Sequence, residues 1–373
     1  MKILIENAVP LNNGDAALIF AIGNRFEEKD DEVFYSTFNS KKVRSKYPSE
    51  KWINSPLNSK ISRLPFIGFI YIFLKVLLSK KYRKFDAIIA APGGYINSYY
   101  GFKRKLQLLY MYKLLLKKKI YIYSQSIGPL NKRDEENLKR YIGRFDLIFV
   151  RDSVSKERVT KLGDFKNVLQ TKDAAFLLKP ISKKNVSSNK VAISVREWKH
   201  DSRNEKDYID LIKEMIKYLV ESGYEVTFLS TCQGESDYTN DAIMAQKIYN
   251  KLDRNLKIKV TIDKEYYNLS ELRKKLTEYK FVVGTRLHMC ILSWLSGTPA
   301  FNISYEEKGK ECYKYLGLAR YTMDYNSKEN VVEKISPFFN LNETELQEIF
   351  SKVSDVHCES KDYFEYMYKN ISF

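Results

Sequence analysis

The feature that most constrains the fold is an alternation running along most of the chain, in which short apolar runs are separated by longer amphipathic stretches. That alternation calls for βα units and a mostly parallel sheet. In the first half it predicts strands at 2–6, 33–36, 87–91, 120–124 and 147–150, with helices at 16–27, 64–78, 103–118, 134–143 and 153–162. A Ser- and Lys-rich stretch over 179–190, with Pro180 near its start, interrupts the pattern and reads as a linker. A second series follows, with strands at 191–195, 225–229, 257–262, 281–283 and 300–303 and helices at 206–221, 235–250, 269–277 and 287–296. The expected fold class is therefore α/β, with Rossmann-like domains at 1–178 and 191–325 and a charged, aromatic helical tail at 326–373, its one clear helix at 343–353. In open parallel sheets the ligand sits beyond the carboxyl ends of the strands, so the site is expected there, in the cleft between the domains.

A chain of 373 residues suffices for two or three folding units, and 44% apolar with 29% charged residues excludes wholesale disorder, a collagen-like fibre and a multispanning membrane protein. Cys232, Cys290, Cys312 and Cys358 lack CxxC spacing, which argues against a disulfide framework and a cysteine zinc site; no metal is expected. The apolar run before Glu6 is only three residues long, Ile3 to Ile5, so no cleavable leader is read and a cytoplasmic location is expected. The formal charge of +17 draws in anions. There is no zinc-finger spacing, no RNP-like aromatic run and no isolated basic helix, so no nucleic-acid partner is expected.

One segment bears on membranes. Residues 64–78 (LPFIGFIYIFLKVLL) are almost wholly apolar and are bracketed by Lys60, Arg63, Lys80, Lys81, Arg83 and Lys84. A spanning helix needs ~20 apolar residues, so this one is too short. Two readings stand equally: peripheral contact of 64–84 with an anionic leaflet, or a buried helix of the first domain.

The expected strand ends carry a suggestive set. Asn12, Asn13, Gly14 and Asp15 follow the first strand, Pro92, Gly93 and Gly94 the third, and Gln125, Ser126, Ile127 and Gly128 the fourth. Arg151 and Asp152 follow the fifth, Arg196 follows Val195, and Gly284-Thr285-Arg286-Leu287-His288 closes the strand at 281–283. Glycines let backbone amides approach a ligand, and Arg grips carboxylate or phosphate with paired donors. Each piece has an ordinary reading. Asp15 suits a helix N-cap, Gly93-Gly94 a tight turn, and Arg151 with Asp152 a surface pair. The element from Arg286 to His288 resists such a reading, because it opens an otherwise apolar helix and serves no packing need. His288 is the histidine in a suggestive place, whereas His200 and His357 lie in charged neighbourhoods and read as solvated surface. A helix start disfavours imidazolium and a bound anion favours it, which suits a general acid protonated when substrate arrives.

Together these residues resemble the polysaccharide pyruvyltransferase family. The resemblance rests on Asn13-Gly14-Asp15-Ala16-Ala17-Leu18, Pro92-Gly93-Gly94, Ser124-Gln125-Ser126-Ile127-Gly128-Pro129, Val150-Arg151-Asp152-Ser153 and Asp173-Ala174-Ala175-Phe176. Its most specific part is Gly284-Thr285-Arg286-Leu287-His288, continuing through Gly297-Thr298-Pro299 to Tyr305-Glu306-Glu307-Lys308. The resemblance implies two domains of the GT-B type and transfer of pyruvate from phosphoenolpyruvate to a sugar of a cell-surface polysaccharide or its lipid-linked precursor, as a ketal, without a cofactor. It implies a donor site of Arg286, Leu287, Arg196 and Lys308, with His288 as acid. Asp15 is expected to face the acceptor from the first domain as a base, and Asn13, Gly14, Gly93, Gly94, Gln125, Ser126 and Arg151 are further cleft candidates. Two other classes share some of these features: a GT-B glycosyltransferase using a sugar nucleotide, and a noncatalytic module binding a membrane surface or nucleic acid.

Overall fold

The apolar runs assemble into two sheets, in which the strand pairings are parallel. The computed structural model describes residues 1–38, 40–181, 188–198, 203–232 and 240–372. Residues 182–187 of the expected linker, the start of the expected 235–250 helix, and His200 lie outside the described residues.

The first sheet holds β1 (Lys2–Glu6), β2 (Glu32–Thr37), β3 (Trp52–Asn54), β4 (Ala87–Ala90), β5 (Gly93–Ile96), β6 (Lys119–Ile127), β7 (Leu147–Val150) and β8 (Val168–Gln170). Its order is β3-β2-β1-β4-β6-β7-β8, with β5 pairing β6 beyond β4. The second holds β9 (Lys190–Ser194), β10 (Glu225–Phe228), β11 (Val260–Ile262), β12 (Phe281–Gly284), β13 (Ala300–Ser304) and β14 (Thr322–Asp324), in the order β11-β10-β9-β12-β13-β14. Numbered within its own sheet that order is 3-2-1-4-5-6, the doubly wound pattern, whose direction reverses between β9 and β12. In the first sheet the reversal falls between β1 and β4. Central strands are buried throughout, as in Ile3, Leu4 and Ile5 of β1 and Val191, Ala192 and Ile193 of β9, which is why they read as uninterrupted apolar runs.

The chain divides differently from the sequence expectation. The first unit comprises 1–11, 18–177 and 358–373, and the second comprises 12–17 and 178–357. Residues 12–17 join the second unit through specific bonds: the Asn13 amide donates to the Thr231 carbonyl at 3.0 Å, and Asn13 Nδ2 donates to the Tyr267 carbonyl at 2.8 Å. The tail is not a separate unit. Its helix runs over Glu343–Ser372, far past 353. Ile349, Val353, Val356, Ser360, Phe364, Met367 and Ile371 are buried along one stripe at steps of three and four, so a single apolar face sustains the whole length. Within the first unit Phe364 packs edge-on against Phe26 at 4.9 Å, and Lys119 Nζ donates to the Asn370 carbonyl at 2.9 Å. His357, expected at the surface, lies on this stripe and is buried. None of the four cysteines is in a disulfide.

Candidate active site

At the reversal point of the second sheet two arginines arise together. The chain leaves β9 through Val195 to Arg196 and leaves β12 through Thr285 to Arg286, and β9 pairs with β12 in parallel register, Gly284 opposite Ser194. The Tyr208 hydroxyl ties these exits, accepting from the Arg196 amide at 3.3 Å and sharing a hydrogen bond with Thr285 Oγ1 at 2.7 Å. Its ring stacks on Tyr325 at 3.9 Å and 7°, so the spacing of the two loops is fixed from below by a buried aromatic pair.

Arg286 is already gripped. Its Nε and Nη2 both bond Asp241, at 2.6 to 3.1 Å, and Asp241 is almost wholly buried. Burial works against the guanidinium charge, but the Asp241 carboxylate outweighs it and holds Arg286 protonated above its ordinary range. Asp241 in turn accepts from the Cys232 amide at 3.2 Å. The grip occupies the Nε–Nη2 edge and leaves Nη1 outside it. Sequence reading missed Asp241, which follows Asn240 at a helix start and looks like any first-turn acid. Burial also pushes the Cys232 thiol up to about 11, despite Arg286, so this cysteine is no nucleophile near neutrality.

Arg196 has no carboxylate in ion-pair reach among the described residues. Its Nη1 donates to the Tyr305 hydroxyl, and its guanidinium lies 4.5 Å from the Tyr305 ring centroid and 5.1 Å from that of Trp198. Its Nε is buried and has no hydrogen-bond partner among the described residues. Arg203, which the sequence did not single out, donates to the Tyr305 carbonyl, and Lys308 pairs with Glu306 at 2.7 Å. Burial raises the Glu306 carboxyl, but Lys308 and Arg196 bring it below its ordinary value overall. Lys308 Nζ stands 5.8 Å from the Tyr305 ring centroid, so this tyrosine links Arg196 and Lys308.

The 12–17 segment brings in the other candidates. A Cβ on Gly14 would lie 2.7 Å from His288 Nδ1, so only glycine lets this backbone rest on the imidazole. The helix begins at Asn13, one turn earlier than Asp15 would require as its cap. Asn12 takes that role: its Oδ1 accepts from the Asp15 amide at 2.9 Å and its Nδ2 donates to Asp15 Oδ2 at 2.7 Å. Asp15 thus belongs with the second unit rather than the first, its carboxylate half-buried and oriented by Asn12. Asn13 is 2% exposed, and its Oδ1 has no partner among the described residues. Leu287 buries its side chain, so only its backbone at the helix start is left for a ligand. Thus Asn13, Gly14, Asp15, Arg196, Arg286, Leu287, His288 and Lys308 all lie in the second unit, beyond strand ends or on the segment bonded to them.

Gly93, Gly94, Gln125, Ser126 and Arg151 gather in the first unit. Arg151 is 3% exposed, bonds Asp173 at 2.8 Å through Nη1, and donates from Nε to Ser126 Oγ at 2.6 Å. Ser126 donates to Asp152 at 2.8 Å, so both Arg151 and Asp152 are buried in a network rather than paired at the surface. Gly94 lies against this network, its notional Cβ 3.3 Å from Arg151 Nη2. In β6 the register shifts between Ile122 and Gln125, with Ser124 at φ 51°. Gln125 is completely buried beside Gly93, and neither its amide nitrogen nor its oxygen has a partner among the described residues. At the end of β1 stands Glu6, absent from the sequence candidates because it reads as a strand terminus. Its carboxylate accepts from Ser55 Oγ at 2.7 Å and Tyr112 at 3.1 Å, and burial raises it above its ordinary range.

The sequence pattern that defines polysaccharide pyruvyl transferases matches residues 12–307. The amylovoran biosynthesis protein AmsJ of Erwinia amylovora is 31% identical over 267 residues, which is 66% of this chain and 63% of AmsJ, so the match spans less than two thirds of that protein's length. Among solved structures, Anabaena Alr3699/HepE, crystallised with UDP and glucose, has a TM-score of 0.62 at 10% identity, covering 100% of this chain and 98% of its own. A single-substitution mutant of S. aureus TarM, in complex with fondaparinux, alpha-GlcNAc-glycerol and UDP, has a TM-score of 0.64 at 10% identity and covers 99% of both chains. At such identities the likeness shows the fold alone, the α/β class of two Rossmann-like domains expected from the sequence.

Proposed function

Since the chain belongs to the polysaccharide pyruvyl transferase family, we propose that it transfers pyruvate from phosphoenolpyruvate to a sugar of a cell-surface polysaccharide or its lipid-linked precursor, as a ketal. The observation that carries this reading is Arg196, a half-buried guanidinium at the reversal point of its sheet, walled by Tyr305 and Trp198 and with no carboxylate in ion-pair reach among the described residues. A multiply charged anion supplies what Arg196 lacks. Nη1 of Arg286, which lies outside the Asp241 pair, the Lys308 ammonium and the amides opening the Leu287–Trp294 helix add donors for a carboxylate and a phosphate.

His288 then delivers a proton to the methylene carbon of phosphoenolpyruvate, leaving cationic character on the carbon that bears the phosphate. Gly14 packed on its ring fixes the imidazole's place. A sugar hydroxyl attacks that carbon while Asp15 takes the hydroxyl proton, the carbon–oxygen bond to phosphate breaks, and a second hydroxyl of the same sugar replaces it to close the ketal. Phosphate departs with the remaining proton, so atoms and charge balance. The direct test is mass spectrometry of glycan acceptors incubated with enzyme and phosphoenolpyruvate. The expected product is heavier by one pyruvyl ketal with release of phosphate; glycosylation from a sugar nucleotide in its place overturns the reading. That second reading is favoured by UDP in the HepE and TarM structures, which share the fold.

A further inference from the structure

Helix Ile67–Leu77 is buried along one face and exposed along the other. Gly68, Ile72 and Val76 are buried, and Ile72 and Val76 join the core of the first unit. A Cβ on Gly68 would meet the Ser62 carbonyl oxygen at 2.5 Å, so the helix is seated hard on the turn before it. The other face is bare. Leu64 is 47% exposed, Phe66 76%, Ile67 57%, Ile70 43%, Leu74 46% and Leu78 75%. Such a contiguous apolar face on a fixed support marks an interaction surface.

Its border identifies the partner. Lys60 and Arg63 precede the helix, Lys75 lies in its last turn and Lys80, Lys81 and Arg83 follow it, and none of them forms an ion pair among the described residues. Burial, and to a smaller extent repulsion from Arg44 and Lys84, lowers the Lys81 ammonium below its ordinary range. Beside the helix a cavity of about 700 Å³ is lined by Ser55, Tyr71, Leu74, Lys75, Lys81 and Tyr82, so apolar wall and cations meet at one recess. An apolar protein partner would leave these cations without counter-charge; a leaflet of anionic lipid takes apolar side chains among its acyl chains and offers phosphates at the depth of the cations. No described helix is long and apolar enough to cross a membrane.

We propose that the exposed face of Ile67–Leu77, with its cationic border, docks on the surface of an anionic lipid bilayer. This goes beyond the donor chemistry and does not depend on it.

The test is co-sedimentation of the full chain with phosphatidylglycerol-containing vesicles and with pure phosphatidylcholine vesicles, beside a melting curve for each variant. The chain should pellet with the anionic vesicles at low salt and be released as salt rises, since screening shortens the reach of the cations. Replacing Phe66 and Leu78 by Ser should lower vesicle affinity about tenfold each with unchanged melting, because both are exposed in the free chain. Lys80→Gln with Lys81→Gln should cost about fivefold per residue. Absence of pelleting with anionic vesicles by well-folded chain overturns the proposal, as does equal pelleting with both lipids. So does sedimentation velocity showing a stable dimer that Phe66→Ser dissociates, which would make the face a contact between copies.

Discussion

Arg151 and Arg196 each follow a parallel strand of their own sheet, and their surroundings are opposite. Arg151 is closed in with Asp173 and Ser126, its charge neutralised by a carboxylate as buried as itself. Arg196 meets a phenol and two aromatic faces, and among the described residues no carboxylate lies within ion-pair distance of it, though its charge reaches Glu306 from farther off. A guanidinium at a strand end is therefore structural when the fold supplies its counter-charge, and ready for a ligand when the fold supplies only a cradle. Arg286 stands between the two, one edge held by Asp241 and one nitrogen left over.

The largest expected effect concerns chemistry rather than either arginine. His288→Ala should lower pyruvyl transfer by ~10²- to 10⁴-fold while donor affinity changes far less, as single-turnover rates and equilibrium binding would show. Equal losses in both would make His288 a binding residue.

Next comes the closed network. Arg151→Ala leaves Asp173 charged and buried, and should destabilise the fold by about 3–5 kcal/mol in urea unfolding. The double variant Arg151→Ala, Asp173→Asn should recover part of that loss. An unchanged urea midpoint for Arg151→Ala would break the contrast with Arg196.

Arg196→Ala should do the reverse, leaving stability within about 1 kcal/mol and lowering phosphoenolpyruvate affinity by about tenfold or more, the loss of hydrogen bonds to a charged group. Titration calorimetry reads the affinity, and urea unfolding the stability.

The smallest effect is the pH dependence set by Glu6. Its carboxyl is raised by burial in the folded chain, so the folded state binds the proton more tightly than the unfolded state. Stability from this group is therefore full when it is protonated and falls as pH rises from its ordinary value of ~4.3 through the raised one. Glu6→Gln should flatten that decline; an unchanged slope would assign it to other groups.

Much of the fold was legible because parallel strands buried on both faces read as apolar runs. The strands left unread were β3, β5, β8 and β14. Three of these are sheet edges of three residues each, too short to show a pattern. The terminal helix was read only as far as 353 because beyond it the stripe includes Ser360 and is flanked by charges, which dilutes the periodic signal. At the candidate site, Arg196, Arg286 and His288 could be picked out from their places after strands, and Lys308 only from the family resemblance. Their neutralisation could not. Asp241 reaches Arg286 across forty-five positions, a pairing that no local spacing announces. Likewise Asp15 suggested a cap at the start of a first-domain helix, whereas the bonds of Asn13 to Thr231 and Tyr267 carry that turn into the second unit. In segment 64–78 uniform hydrophobicity hid the division between a buried face and an exposed one, which depends on where the core lies.

The central claim, that the second unit's strand ends hold phosphoenolpyruvate, is tested most directly by its effect on thermal unfolding. A ligand that binds the native state raises the melting temperature by mass action. The account predicts a rise with saturating phosphoenolpyruvate, a smaller rise in Arg196→Ala, and no rise with UDP-glucose. A flat response to phosphoenolpyruvate with a rise on UDP-glucose would contradict it.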